Sequence, residues 1–217
     1  MERFLAYPLE QFPYVVVALL AGFAVHEFAH AWTAYRFGDP TAKKEGRVTL
    51  NPLAHLDPLG TIAVFLMGFG WAKPVPVNRF YFRHPRLAGV WVTVAGPFSN
   101  LALAFLFTLL FRAWFQFGGS TAVPGMETGL YILVYLNVIL FLFNLFPVPP
   151  LDGYRILEDL APARLRPRLR QYEPYGILVF VVLLVTPLGD AVFGPLFGMA
   201  ETIIAQMASI AGLAVVH

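Results

Sequence analysis

Long apolar runs separated by short, polar, proline-rich loops set the rhythm of this chain. The first run covers 14–36, about 23 residues, enough to cross roughly 30 Å of hydrocarbon. Pro13 suits its start, and Gly38-Asp39-Pro40 its stop. Further runs cover 87–115, 129–146 and 175–188. A last apolar stretch, 195–216, carries Glu201 and Gln206 and reads equally as a span or as a helix lying in the interface. Between the first two long runs, 61–71 is apolar over only 11 residues. That is too short for an ordinary span and suits a re-entrant segment or a β-hairpin. The stretch 71–78 reads as extended, because Pro74 and Pro76 each restrict the preceding residue to β or polyproline geometry. The pattern predicts an all-α polytopic membrane protein with about four to six transmembrane helices and a short re-entrant or β-hairpin element between the first two long spans.

Composition strengthens that picture. The chain is 58% hydrophobic and 13% charged, whereas soluble domains average about 45–50% apolar and about 25% charged. It has no cysteine, which excludes disulfides and thiolate ligands and leaves His, Asp and Glu for any metal. Residues 1–12 carry Glu2, Arg3 and Glu10, and the apolar run after them is too long for a signal core. The first span is therefore expected to serve as its own uncleaved signal. If 59–71 returns to its own side, all 15 Lys and Arg residues except Arg3 and Arg112 share one face; if it crosses, they divide ten to five. The first arrangement obeys the positive-inside rule better, and the basic face is expected to be cytoplasmic. The arginines at 164, 166, 168 and 170 suit lipid headgroups, and no nucleic-acid partner is expected.

The chemistry sits inside the first span. His26, Glu27 and His30 lie within an otherwise apolar run, and ionisable groups at membrane depth are expensive. His26 and His30 are four residues apart, so on a helix both imidazoles point the same way from successive turns and one metal can take both. The pattern H-E-x-x-H adds Glu27 in the place of a general base. By helical rise His30 lies about 12 Å from the Gly38 end, so the site is nearer one face. A catalytic zinc takes a third protein ligand and leaves one position for water. Asp152 is the best third ligand, at the basic mouth of the third span and followed by Gly153. Asn100 and Asn144 are candidate donors to an oxyanion or to substrate backbone, or simple ties between helices. His55 reads as a loop histidine with a local hydrogen bond or as a residue near the site. A di-iron oxygenase would need roughly eight histidines, and only five exist here. A transporter would spread polar ligands along a path instead of clustering them.

H-E-F-A-H at 26–30, A-G-P-F-S-N at 95–100 and N-L-F-P-V-P-P-L-D-G-Y-R at 144–155 resemble the three signatures of the site-2 protease family. N-P-L-A-H-L-D-P-L-G at 51–60 and W-A-K-P-V-P-V-N at 71–78 resemble its compact bacterial and archaeal subgroup, which lacks PDZ and CBS domains. The resemblance implies an intramembrane zinc metalloendopeptidase with one zinc held by His26, His30 and Asp152, with Glu27 activating water and Asn144 near the substrate. The resemblance runs from about residue 20 to 160; a single membrane-embedded domain over 1–217 is expected, with a catalytic core at about 14–160 and C-terminal helices at about 175–216. A single-pass transmembrane protein is then the expected substrate and membrane lipids the surroundings, in the plasma membrane of a prokaryote. A helix must unwind before it is cut, and the extended 71–78 stretch is a candidate to pair with it by strand addition.

Overall fold

The computed structural model describes residues 7–67, 70–117 and 125–213. Arg3 and His217, the 68–69 part of the short apolar stretch and the 118–124 part of the loop after the second span lie outside them. Eight α-helices follow in chain order among the described residues: α1 (Phe12–Arg36), α2 (Thr41–Lys44), α3 (Pro58–Met67), α4 (Pro85–Gln116), α5 (Met126–Asn144), α6 (Asp152–Leu160), α7 (Arg166–Val185) and α8 (Leu188–Ala211). Four stretches are long and apolar enough to cross a membrane: Leu9–Arg36, Pro85–Gln116, Met126–Asn144 and Leu188–Ala211. The chain is thus an all-helical integral membrane protein.

Small residues spaced four apart bring the helices together. Along α4 the buried row runs Ala88, Val92, Gly96, Asn100, Ala104 and Thr108. Along α1 it runs Ala18, Gly22, His26, His30 and Ala34. Such rows lie on one helix face and let backbones approach closely, which is how membrane helices pack when lipid is as apolar as their side chains. α4 packs against α1, α5, α6 and α8 and forms the centre of the bundle. Ala104, Val134, Val138, Phe141, Leu142, Ala200 and Met207 fill the space between α4, α5 and α8.

One region differs from the sequence expectation. The 175–188 run is only the apolar end of α7, whose first turns carry Arg166, Arg168, Arg170 and Glu173. That charge keeps α7 out of the span-length apolar set. It stops before Thr186-Pro187, where the proline disfavours helical geometry in its predecessor. The final helix therefore starts at Leu188, not at 195, and contains Pro195. At 24 residues it is about 36 Å long, enough to span. In the 61–71 stretch the described residues form the ten-residue helix α3, about 15 Å long and too short to cross. Its Val64 packs with Val15, Ala18, Ile132 and Leu136 of α1 and α5. Among the described residues an isolated antiparallel bridge joins Leu56 to Ala72, and 73–78 carries on outside the helices.

Beyond the end of the spans, α6 is tied down by ions. Arg79 pairs with Asp159, Arg155 with Glu158 and Glu173, and Arg170 with Glu158. Tyr154 donates its hydroxyl to Leu169 O at 2.5 Å. Burial opposes the charge on Glu158, but the Arg170 guanidinium at 2.5 Å and Arg155 outweigh it and hold the carboxyl below its ordinary 4.5. A carboxylate with a lowered folded pKa stabilises above its unfolded value and stops doing so as pH falls through the folded one. The Tm gap between the detergent-solubilised wild type and Glu158→Gln should be full near about pH 7, shrink below about pH 4.5 and close with further acid. A gap constant over that range in thermal unfolding would contradict the pairing.

Candidate metal centre

His26 and His30 sit on successive turns of α1, both buried, with ring centroids 4.5 Å apart. Each ring has its Nδ1 occupied. His30 Nδ1 lies 2.7 Å from Val92 O. A carbonyl only accepts, so Nδ1 carries the proton. His26 Nδ1 lies 2.7 Å from Asn100 Oδ1. The Asn100 amide nitrogen donates to Gly22 O at 3.0 Å and to Asn137 Oδ1 at 3.2 Å, and Asn137 Nδ2 donates to Leu133 O at 2.8 Å. That chain fixes which Asn100 atom is oxygen, so His26 Nδ1 also carries its proton. Both Nε2 atoms are therefore bare lone pairs in the neutral rings. An outer partner that sets the tautomer in this way is the usual companion of a metal-binding histidine.

These two lone pairs point at one spot. The Nε2 atoms are 2.9 Å apart, and Asp152 Oδ2 lies 3.1 Å from one and 3.2 Å from the other. Asp152 Oδ2 is buried and has no hydrogen-bond donor. Three electron-rich atoms this close repel unless a cation lies among them. Among the described residues they form the one group of three that could hold a metal. A tetrahedral zinc with nitrogen and oxygen ligands spaces them about 3.3–3.6 Å apart, so the cluster needs to open only slightly to accept it.

Sequence explains how Asp152 arrives. It is the first residue of α6, where a negative side chain is favoured by the helix dipole. The turn before it folds back on α5 so tightly that a Cβ on Gly153 would meet Leu145 O at 2.2 Å. Gly96 does the same work on the other wall. A Cβ there would lie 2.3 Å from His30 Nε2 and 2.8 Å from His26 Cε1, so only glycine lets α4 cover the pair.

The other sequence candidates are placed as follows. Glu27 is buried beside the histidines, and its Oε2 accepts the Val75 N–H at 3.1 Å. Both amide hydrogens of Asn100 are taken up inside the protein, so none is left for an oxyanion, and its contact is with His26. Asn144 is half-buried and donates to Leu140 O at 2.9 Å, one turn back on its own helix. His55 is fully buried outside the three-ligand group, with Nε2 2.9 Å from Thr49 O. Sequence reasoning missed Asn137 and the Val75 amide. A lone Asn in the apolar run of α5 was the available signal for the first; a backbone N–H leaves none.

Similarity to known proteins agrees with this geometry. Over 212 residues the chain is 51% identical to a Bacillus subtilis (strain 168) protein named "Putative zinc metalloprotease YwhC", covering 96% of this chain and 97% of that one. The model of Peptidase family M50 matches residues 112–187. The chain belongs to peptidase family M50. Two further relatives are also named putative zinc metalloproteases: Rip2 of Mycolicibacterium smegmatis, 34% identical over 178 residues (80% of this chain, 67% of that one), and MJ0611 of Methanocaldococcus jannaschii, 31% identical over 144 residues (66% and 68%). No solved structure matches the chain. As an M50, site-2 protease family member with a His-His-Asp cluster, it is a zinc protein.

Two substitutions probe the walls of this centre. Asn100→Leu, which frees the His26 tautomer, should weaken zinc binding about 10–100-fold in a chelator competition. Gly96→Ala should lower the zinc stoichiometry of purified protein, because its methyl overlaps the His30 ring. Full zinc occupancy in Gly96→Ala would show that α4 can move aside.

Proposed function

We propose that this chain is an intramembrane metalloendopeptidase that hydrolyses peptide bonds within the membrane-spanning helix of a single-pass protein. The observation that carries the reading is the convergence of His26 Nε2, His30 Nε2 and Asp152 Oδ2 beside the buried carboxylate of Glu27 on the same helix. His26, His30 and Asp152 would hold one zinc. When bound, the metal supplies a Lewis acid that lowers the pKa of water to about 7 and polarises the scissile carbonyl. Glu27 takes the proton from the attacking water and returns it to the leaving nitrogen as the C–N bond breaks. Its Oε2 is held by Val75, which leaves Oε1 for that transfer. Asn144 lies at the end of α5 leading into the Asp152 turn, in reach of a role in holding substrate backbone.

The extended segment 71–78 is the proposed place for the unwound substrate. An extended chain turns alternate residues to opposite edges. Lys73 and Val75 use their N–H groups toward His55 O and Glu27. Pro74 and Pro76 face the other edge with carbonyl acceptors and no donor. A substrate strand would therefore donate its N–H groups there. The setting we infer is the plasma membrane of a prokaryote, with the centre nearer the cytoplasmic face. The basic residues Arg36, Lys43, Arg47, Arg79 and Arg155 at that end support it, as do relatives from bacteria and an archaeon.

The test uses purified protein and a model membrane-spanning substrate. Glu27→Gln should keep its zinc and lose cleavage, whereas Asp152→Ala should lose zinc. Undiminished cleavage by Glu27→Gln would end the mechanism. Helix-breaking residues beside the scissile bond should speed cleavage, and equal rates for substrates of uniformly strong helix propensity would remove the unwinding step.

A further inference from the structure

One buried polar group near the spans plays no part in the metal centre: the pair Arg47 and His55, 5% and 0% exposed. Both lie in the loop after α1, and both reach the strand that crosses Glu27. His55 Nε2 donates to Thr49 O at 2.9 Å, which leaves Nδ1 as an acceptor, and Arg47 Nη2 lies 3.4 Å from it. The same guanidinium nitrogen donates to Lys73 O at 2.5 Å, and Lys73 N–H donates to His55 O at 2.8 Å. Both backbone groups of Lys73 are thus clamped. At the far end, fully buried Asp39 accepts the Asn78 N–H at 2.6 Å while its other oxygen takes Thr41 N–H at 2.9 Å. Arg79 then pairs with Asp159 on α6, the helix that begins at Asp152. Between these anchors the strand's one hydrogen bond to α1 is Val75 N–H to Glu27 Oε2.

We propose that Arg47 and His55 are positioning residues for Glu27, acting through the strand: they fix Lys73 so that the Val75 amide, two residues on, holds one oxygen of the glutamate and aims the other. This rests on the protease reading. The arrangement suits the task. A carboxylate on a helix has free torsions, and a misplacement of about 1 Å at a reacting group costs about 100-fold in rate. The flanking prolines have no N–H of their own, so Val75 supplies the donor without competition from either neighbour. An extended backbone between prolines also has little freedom to lose.

Substitutions at His55 and Val75 test it. His55→Phe removes both ring nitrogens, and with them the acceptor beside the Arg47 guanidinium that holds Lys73 O, while leaving His55 O on Lys73 N–H; His55→Gln retains one donor and one acceptor, and Val75→Pro deletes the amide while keeping an extended backbone. The expected result is that His55→Phe lowers kcat by about 10–100-fold with zinc content unchanged. His55→Gln should recover most of that loss, and Val75→Pro should fall well below Val75→Ala. Hydrogen exchange gives a readout that needs no activity. The Val75 amide, isolated between two prolines, should be protected in the wild type and in Glu27→Gln, and should lose protection in His55→Phe. A Val75 amide that exchanges freely in the wild type overturns the proposal. So does wild-type kcat in His55→Phe or Val75→Pro, a change in KM alone, or a loss that tracks loss of zinc. If Glu27→Gln still cleaves, the protease mechanism fails, and the exchange data still report whether the clamp holds the strand.

Discussion

Two histidine lone pairs and a carboxylate oxygen, brought within 3.2 Å of one another inside the protein, are the constraint on which the rest of the structure turns. Such a group is unstable without a positive charge among its members. The protein spends hydrogen bonds on making it worse in the absence of that charge. By occupying Nδ1 of both rings, Val92 O and Asn100 direct the free lone pairs inward. The sequence cost falls on α4. Gly96 must lack a side chain, and Val92 and Asn100 must sit one turn to either side of it. The spacing of four that lets α4 pack on α1 is the spacing that places its two outer partners on the two histidines.

Asn100 shows how a polar group is afforded at that depth. Its oxygen goes to His26, and its two hydrogens go to Gly22 and Asn137. Asn137 in turn is satisfied by its own helix. The network ends on backbone carbonyls of α1 and α5, and it joins α1, α4 and α5 at the level of the histidines. In lipid an unsatisfied amide is expensive, so this closure both stabilises the three-helix contact and fixes the rotation of α4 that the centre requires.

What could be read in advance follows from the range of the signal. The histidines and Glu27 were legible because a helix converts a spacing of four into a shared direction, with no tertiary information needed. Asp152 stood out through the motif around it, since a loop aspartate after the prolines at 147, 149 and 150 reads by itself as a helix cap, and it does open α6. Asn100 was visible as a residue, yet its role depended on which atoms of α1 and α5 lay opposite, and no spacing within α4 encodes that. The α3 stretch was ambiguous because an 11-residue apolar run has the same composition as a helix or a hairpin. The break between α7 and α8 was blurred because apolar residues continue on both sides of Pro187, and only the arginines upstream keep α7 out of the span-length apolar set.

The source of the third ligand locates the chemistry. His26 and His30 belong to a spanning helix, but Asp152 opens α6, a short helix outside the four span-length stretches. α6 carries the ion pairs to Arg79 and Arg170, groups that belong in a polar layer. A centre with two ligands from the membrane layer and one from the polar layer must lie at their seam. On the proposed protease reading, that seam is where water from one side would meet an unwound segment of a lipid-embedded helix from the other. The same ion pairs that hold α6 also anchor the strand running over Glu27, through Arg79. Asp152 and Glu27 are thus referred to one frame, and a shift of α6 would disturb both together.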